Sequence, residues 1–206
     1  EFPRACATYA TSLETVVPYT CFDVDVNEGV AHLQLSRPEA FNSMVPDFWT
    51  ELPEIVNGLD ETGEARVIVL SSSGKHFCSG MDLAVFTSGG SPVEADGAHA
   101  RGAMRERVLE LQDTFNCLER VRMPVLAAIQ GACVGGGVDM ISACDARYAS
   151  RDAFFCIQEI NIGMTADVGT LQRMPKLVPE GVVRELAYTG RNMSAIEAKE
   201  RGFVNE

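Results

Sequence analysis

The sequence predicts an α/β fold, in which strands of a largely buried sheet alternate with helices along the chain. Two short and almost fully apolar runs, Arg66–Ser71 and Val125–Ile129, are typical of strands that are covered on both faces. Between them, apolar residues from Met104 to Leu118 recur at alternating spacings of four and three, which indicates a long amphipathic helix. At 206 residues the chain is long enough for one domain with a sizeable core.

The first third of the chain is predicted to contain an arm, a hairpin and a helix. Residues 1–20 show no sustained period and are predicted to form a flexible arm, so the folded domain is assigned to residues 21–206. Apolar residues that alternate on both sides of a Glu-Gly pair predict a β-hairpin over 22–35. An apolar stripe predicts a helix over Val45–Leu59, although Pro53 argues for a kink or a later start.

The remaining elements continue this alternation. Thr87–Gly102 is low in hydrophobicity and is predicted to be mobile. Three glycines at 135–137 separate the second apolar strand from Val138–Cys144, which we predict to be a buried helix. The later elements are predicted at Ala146–Ala149 and Phe154–Ile157 for strands, and at Leu171–Leu177, Val182–Thr189 and Ser194–Arg201 for helices.

Charge and hydropathy exclude several classes of function. The formal net charge is −12, so the chain repels a polyanion on average, and neither nucleic acid nor an anionic membrane surface is an expected partner. A ligand with a few phosphates needs only a local cluster of donors and is not excluded. The longest apolar stretch, Pro124–Ala143, contains Gln130, Asp139 and several glycines, so we expect a buried strand, turn and helix and no membrane span.

Cysteine usage favours a soluble protein of a reducing compartment. The seven cysteines are scattered, odd in number and never spaced as C-x-x-C. Several lie in apolar runs, where a free cysteine behaves as a small hydrophobic residue. A disulfide scaffold is therefore not expected, and no metal-ligand spacing occurs, so we expect neither a metal site nor a metal cofactor.

Two glycine-bearing junctions predict an anion-binding site. Ser79, Gly80 and Met81 follow one predicted strand, and the glycines at 135–137 follow the next. If the two strands are parallel neighbours, their carboxyl ends lie side by side, where ligands usually bind in α/β sheets. One main-chain N–H group from each junction would then meet at a single acceptor and form an oxyanion hole. The alternative is that both junctions are only tight turns.

Three carboxylates in apolar sequence are candidates for proton transfer: Asp139, Glu159 and Asp167. Each also has a structural interpretation. Asp139 could be a helix-start residue, Glu159 could face solvent at a strand end, and Asp167 could be an N-terminal helix cap. Composition and spacing do not decide between these interpretations. Asp82 and Asp145 are predicted to have turn or capping roles.

The motifs SGKHFCSGMDL (Ser73–Leu83) and PVLAAIQGACVGGGVDMISACDARYASRDAFF (Pro124–Phe155) resemble those of the enoyl-CoA hydratase/isomerase, or crotonase, superfamily. The similarity extends over about 22–205. Within the superfamily, GGGVD, QEINIG and TADVGTLQRMPKL are most similar to the Δ3,5-Δ2,4-dienoyl-CoA isomerases, which act in fatty-acid β-oxidation. The resemblance implies a crotonase-like spiral of ββα repeats with surrounding helices and two roughly perpendicular sheets. It also implies a homotrimer or hexamer, and further C-terminal helices that this sequence does not contain.

The resemblance assigns roles to individual residues. The N–H groups of Met81 and Gly136 would bind the thioester oxygen, and Ser79–Leu83, including Asp82, would line the acyl-CoA site with Gly136. Asp167 and Glu159 would transfer protons, and Asp139 would support them. Coenzyme A enters as part of the substrate, so no separate cofactor is expected. The family also suggests a mitochondrial or peroxisome-type organelle.

Two other functions fit parts of this pattern. Enoyl-CoA hydratases resemble the chain in fold and oxyanion hole, but they use two glutamates where this chain has Asp139 and Glu159. The shorter Asp139 and the additional carboxylate at Asp167 favour the isomerase. A catalytically silent acyl-CoA-binding or RNA-binding protein is the other alternative. The charge of −12 argues against RNA, and the set of three carboxylates argues against a silent site.

Overall fold

The structure is a computed structural model and describes residues 19–84 and 97–206, so the predicted arm lies almost wholly outside the described residues. The strands are β1 Phe22–Asn27, β2 Val30–Leu35, β3 Val67–Ser72, β4 Val125–Ile129, β5 Ala132–Val134, β6 Ala146–Ala149, β7 Phe154–Cys156 and β8 Met193–Ser194. The α-helices are α1 Phe48–Thr62, α2 Ala98–Arg120, α3 Gly136–Ser142, α4 Thr170–Arg173, α5 Glu180–Thr189 and α6 Ala195–Arg201. Short 3₁₀ helices span Pro38–Ala40, Glu159–Ile162 and Met174–Lys176.

Two sheets organise the described residues. The larger sheet has the strand order β1-β2-β3-β4-β6, in which β1 and β2 are antiparallel and the other neighbours are parallel. The smaller sheet has the order β5-β7-β8, with β5 and β7 parallel. Isolated bridges join Met44 to Met81 and Cys78 to Cys133, and so extend the second layer toward the start of the chain.

The chain repeats one unit through these layers. A strand of the larger sheet is followed by a short strand or bridge in the second layer, and then by a helix. The units are β2, Met44 and α1; β3, Cys78 and α2; β4, β5 and α3; and β6, β7 and α4. This arrangement confirms the predicted α/β class and the implied ββα repeats. It also places the residues that follow each second-layer segment on neighbouring turns of one spiral.

The core lies between one face of the larger sheet and the helices. Leu33, Ile68 and Ala127 from adjacent strands are fully buried on this face. Aromatic rings join it to the helices: the ring centroids of Phe48 and Trp49 lie 6.2 Å and 5.5 Å, respectively, from that of Phe115. Burial of such side chains supplies most of the driving force for folding. The same cluster supports one wall of the site described below, because Trp49 also lines it.

Pro53 lies inside α1 without ending it, which answers the question that the sequence raised. Proline has no N–H group, so the carbonyl of Trp49, four residues earlier, loses its helical partner. The hydroxyl of Thr114 on α2 lies 3.3 Å from this carbonyl and, at the same distance, from the carbonyl of Glu110, so its one hydrogen can be donated to either. A side chain from a distant helix therefore offers a donor to the acceptor that the proline leaves unpaired.

Several element boundaries differ from the predictions. α2 begins at Ala98, so residues 98–102 are helical and the predicted mobile segment is wrong there; residues 87–96 lie outside the described residues. The first helix begins at Phe48, three residues later than predicted. The short strands β5 and β8 were not predicted. Within 19–84 and 97–206, no helix combines the length and the hydropathy that a membrane span requires.

Candidate active site

A cavity of about 360 Å³ opens where the second-layer segments end and the helices begin. Its lining includes Ser79, Gly80, Met81 and Leu83 from the first predicted junction and Gly136 from the second. The two junctions therefore meet at one site. The strands responsible are not the ones that the sequence suggested. The first junction follows Cys78, and the second follows β5 of the smaller sheet and not β4. Cys78 pairs with Cys133 of β5, and this pairing brings the two junctions together.

The two junctions approach each other so closely that glycine is required at Gly80. Its φ of +88° is rarely adopted by other residues. A Cβ atom at this position would lie 2.9 Å from the carbonyl oxygen of Val134 and 3.4 Å from the nitrogen of Gly136. The main chains of the two loops are thus in contact, with no side chain between them.

Each loop has one N–H group that finds no acceptor among residues 19–84 and 97–206. Met44 donates its N–H to the Gly80 carbonyl at 2.8 Å and accepts from the Asp82 N–H at 3.0 Å. The N–H of Met81, between these two bonds, has no acceptor among the described residues. Gly136 is the first residue of α3, so its N–H also has no partner within the helix. Both residues line the cavity, which offers two free donors to an anion.

Asp139 lies on the first turn of α3 and is almost completely buried, with 1% of its surface exposed. One of its carboxylate oxygens accepts from the N–H of Thr170 at 2.6 Å. Burial raises the pKa of Asp139 to about 6, against the lowering effect of this hydrogen bond, and the nearby charge of Asp167 raises it further. A neutral carboxylic acid and a carboxylate are both accessible here near neutral pH.

Glu159 begins the 3₁₀ helix that follows β7, and it lines the cavity beside the glycine turn. A Cβ atom at Gly135 would lie 3.2 Å from its Oε1 atom, so the carboxyl group packs tightly against the main chain of the glycine turn. Its Oε2 atom is buried and has no hydrogen-bond partner within 19–84 and 97–206. Burial, with the charges of Asp139 and Asp167, raises the pKa of Glu159 to about 7. A carboxyl group with a buried and unpaired oxygen atom favours the protonated form.

Asp167 completes the set of cavity carboxylates from the loop before α4. It is half-buried, and burial raises the pKa of its carboxyl group above the ordinary value. Its own carbonyl accepts from the side chain of Gln112 on α2 at 2.6 Å. Three acids from three different elements therefore line one cavity.

The structure excludes the structural interpretations of Glu159 and Asp167, whereas Asp139 does lie on the first turn of a helix. Glu159 is not a solvent-facing residue at a strand end, because it is half-buried at the cavity. Asp167 is not a helix cap, because α4 begins at Thr170 and Gly169 occupies the cap position. The Asp82 carboxylate accepts from the Ser43 hydroxyl at 2.9 Å and does not line the cavity, unlike its neighbours in the first junction.

Asp145 has the structural role that was predicted, since its carboxylate accepts from the N–H of Val125 at 2.7 Å. The cysteines in the described part of the chain are free and buried, in agreement with their apolar surroundings. In the same part of the chain, no three His, Cys, Asp or Glu residues are grouped so that they could hold a metal ion.

Sequence reasoning missed the residues that position these groups. Met44 holds the first junction through its main chain, which no side-chain pattern reveals. Trp49 lines the cavity from α1, where the sequence indicated only a core stripe. Gln112 had a visible signal, because it belongs to a polar stripe on the long amphipathic helix, but only the apolar stripe of that helix was interpreted.

The comparison with known proteins agrees with this geometry. Residues 25–206 match the enoyl-CoA hydratase/isomerase family. The chain belongs to this family. Among its relatives, the peroxisomal Δ3,5-Δ2,4-dienoyl-CoA isomerase of Arabidopsis thaliana is 42% identical over 88% of the chain, and the mitochondrial enzyme of that name from Homo sapiens is 43% identical over 85%. The chain spans 66% and 54% of the length of these two relatives, respectively.

A solved structure of the enoyl-CoA hydratase/isomerase family supports the architecture. A Thermobifida fusca protein that is named as an enoyl-CoA hydratase and was solved in complex with acetoacetyl-CoA superimposes with a TM-score of 0.80 at 28% identity, over 90% of this chain and 72% of that one. Together with the ββα repeats, this similarity confirms the crotonase-like fold that the motifs implied. The cavity therefore lies in a fold whose relatives include proteins named as isomerases and a protein solved with an acyl-CoA.

Proposed function

We propose that this chain carries the active site of an isomerase that converts a 3,5-dienoyl-CoA to a 2,4-dienoyl-CoA. The observation that carries the proposal is the meeting of three raised-pKa carboxyl groups with two unpaired N–H groups in one cavity. Moving two conjugated double bonds requires this combination, since one group removes a proton, another returns one, and the charge between these steps needs donors. The names of the Arabidopsis and human relatives support the same reaction.

In this proposal, the N–H groups of Met81 and Gly136 bind the thioester oxygen. A proton on the carbon next to a thioester carbonyl is weakly acidic, and its removal places negative charge on that oxygen. Donors that are already in position stabilise this charge without having to reorganise. Loss of one such donor typically costs about 3–4 kcal/mol of transition-state stabilisation in acyl-transfer enzymes, which sets the scale expected here.

Asp167 acts as the base at C2 and Glu159 as the acid at C6. The C2–H bond breaks, its electron pair forms the C2–C3 double bond, and each existing double bond moves along the chain until C6 takes a proton from Glu159. One proton leaves and one enters, so no oxidant, reductant or separate cofactor is needed. Two groups are required because C2 and C6 are too far apart for one carboxyl group to reach.

The environments of the acids support this division of roles. The Glu159 pKa of about 7 keeps a large fraction of this group protonated at neutral pH, which an acid needs. Burial raises the pKa of Asp167 as well, but Asp167 is less buried than Asp139, so we assign it the role of the ionised base. Asp139, which is almost wholly buried, raises the pKa of Glu159 through its charge and so helps to hold the proton there.

Other properties of the intact enzyme extend the proposal. The complex of the Thermobifida neighbour with acetoacetyl-CoA supports binding of an acyl-CoA by this fold. Here the first junction, which lines the cavity, would hold it. The family resemblance supports a homotrimer or a hexamer. The names of the relatives support a mitochondrial or peroxisomal location and a place in β-oxidation.

The direct test offers the protein a 3,5-dienoyl-CoA and, separately, a 2-enoyl-CoA, and follows the ultraviolet absorbance of each thioester. We expect the conjugated 2,4-dienoyl product to form from the first substrate, with little change in the second. Hydration of the 2-enoyl-CoA as the faster reaction would replace the proposal with a hydratase. Acyl-CoA binding without turnover of either thioester would replace it with a binding protein.

Asp167→Asn tests the base. The amide has nearly the same shape but cannot accept the C2 proton, so we expect isomerisation to be lost while binding of an acyl-CoA, measured by calorimetry, stays within about threefold of the parent. Asp23→Asn, at an exposed strand position, is the matched control and should leave turnover unchanged. Near-parental turnover of Asp167→Asn would show that another group removes the proton.

A further inference from the structure

A polar stripe on α2 faces the loop that carries Asp167. Gln112, Asn116 and Glu119 are spaced at i, i+4 and i+7, so they share one face of this helix. An adjacent face contributes Phe115 and Leu118 to the core, which fixes the helix in place. We call the three polar residues the α2 bracket. Each of them contacts the segment from Asp167 to Arg173 or a side chain within it.

The first contact of the α2 bracket is direct. The amide nitrogen of Gln112 donates to the main-chain carbonyl of Asp167 at 2.6 Å. The bond therefore acts on the residue that we propose as the base, but through its main chain and not through its carboxylate. A donor at this position restricts the rotation of the peptide group that follows the Asp167 Cα atom.

The second contact passes through a buried arginine. Arg173 donates to Asn116 at 2.5 Å and to Glu119 at 2.8 Å, and its side chain is 7% exposed. Its third nitrogen donates to the carbonyl of Val168 at 3.4 Å. A Cβ atom at Gly169 would collide with the same guanidinium group, so the loop and the arginine are in close contact. The α2 bracket thus also holds the peptide group after Val168.

The third contact comes from the site itself. The N–H of Thr170 donates to the carboxylate of Asp139 at 2.6 Å. Three main-chain groups within 167–170 are therefore each bound by a side chain, from α2, from the arginine that α2 holds, and from α3. A loop held at so many points keeps its catalytic side chain within a narrow range of positions.

We propose that Gln112 is a positioning residue that aims the Asp167 carboxylate at C2 of the substrate. The inference rests on the proposed isomerase function, since Gln112 acts through the base and touches no substrate. Without its donor, the Asp167 peptide group rotates more freely and the carboxylate moves toward solvent. Asp139 and Glu159, the other titratable groups of the cavity, remain where they are, because α3 and the 3₁₀ helix hold them.

Gln112→Met tests this role because methionine keeps the length of the side chain and removes the donor. We expect kcat to fall by roughly 10- to 100-fold, the scale of a misplaced reacting group, with KM within about threefold of the parent. The acid limb of the pH profile of kcat, which follows ionisation of the base, should move to lower pH as Asp167 becomes more exposed. Glu106→Met, on the exposed part of α2, is the matched control and should change neither quantity.

Gln112→Glu provides a second test that does not depend on the first variant folding well. A protonated carboxyl group can donate to the Asp167 carbonyl as the amide does, whereas an ionised one repels it. The turnover of this variant relative to the parent should therefore fall as the pH rises. A purely structural role would instead lower the melting temperature of both variants while the kcat of the folded protein and its pH profile stay parental.

The outcomes separate the two proposals. A parent protein with no activity on 3,5-dienoyl-CoA removes the proposed function and with it the role of Gln112. An active parent together with parental kcat and pH profile in Gln112→Met, or in Gln112→Glu, overturns the positioning role alone. A fall in kcat with unchanged KM and a displaced acid limb supports it.

Discussion

Replacing Asp139 with asparagine tests whether a buried carboxyl group of the site destabilises the fold. The side chain is 1% exposed, and burial raises its pKa from 3.8 to about 6. The unfolded chain keeps the ordinary value, so folding favours the protonated form. The stabilisation from this proton is fully present below pH 3.8 and is lost as the pH rises through about 6.

The size of the effect follows from the two pKa values. At about 1.36 kcal/mol per pKa unit, the ionised carboxylate costs about 3 kcal/mol of folding free energy at pH 8, and only about 0.6 kcal/mol at pH 4. Asparagine carries no charge and keeps an oxygen that can accept from the N–H of Thr170. We therefore expect Asp139→Asn to stabilise the protein by about 2–3 kcal/mol at pH 8 and by less than about 1 kcal/mol at pH 4.

Urea denaturation at pH 4 and pH 8 measures the change in the free energy of unfolding at each pH. The slope of this free energy against urea concentration should be the same for parent and variant, which checks that the unfolded state is unchanged. Asp23→Asn, at an exposed position, should stay within about 0.5 kcal/mol of the parent at each pH. Destabilisation by Asp139→Asn to the same extent at pH 4 and pH 8 would refute the reasoning. It would mean that the hydrogen bond with Thr170, and not burial of charge, dominates at this residue.

Two further predictions concern the site and its support. If Glu159 must be protonated, the kcat of the parent should decline as the pH rises through about 7. Glu159→Gln should show only residual turnover, without this decline. A flat pH profile of the parent between pH 6 and 8 would contradict this role. Thr114→Val removes the donor to the Trp49 carbonyl near Pro53 and should lower the free energy of unfolding, measured by urea denaturation, by about 1 kcal/mol. Thr114→Ser should recover most of that loss. Equal stability of the parent and both variants would contradict this role of Thr114.

The sequence predicted the larger sheet better than the smaller one. The strands β3 and β4 lie in apolar runs that are bounded by turns, and β4 and β6 were predicted to the residue. The strand β5 has three residues, and its partners at Cys78 are an isolated bridge, so no periodic pattern could reveal them. Pairing between such short segments depends on residues that are far apart in the chain.

This limit explains an error in the reasoning about the oxyanion hole. The convergence of the two glycine junctions was predicted from neighbouring parallel strands of one sheet. The junctions do converge, but through the pairing of Cys78 with Cys133 in the second layer. The two junctions still meet because successive turns of a ββα spiral bring equivalent positions together in either layer. The glycines alone were enough to predict that the two junctions meet. The strands that bring them together depend on pairing between residues that are far apart in the chain.

The roles of the carboxylates could not be read from their neighbours for a similar reason. Burial raises the pKa of Glu159, and the carboxyl group packs against Gly135, more than twenty residues earlier in the chain. The position of Asp167 depends on Gln112. Turn and cap propensities describe only local contacts, so each carboxylate kept a structural interpretation in the sequence analysis. The tertiary structure excludes that interpretation for Glu159 and Asp167.

The site gathers groups that oppose folding, and the rest of the fold compensates for them. Raised pKa values at Asp139 and Glu159 mean that each ionised carboxylate is less stable in the folded protein than in water. The unpaired N–H groups at the cavity also forgo hydrogen bonds that ordinary turns would make. The aromatic cluster of Phe48, Trp49 and Phe115 packs directly behind this cavity and supplies apolar burial.

Substitutions that neutralise the acids should therefore stabilise the protein as they disable it, whereas substitutions in the α2 bracket should disable it without stabilising it. This difference in sign separates the residues that react from the residues that position them.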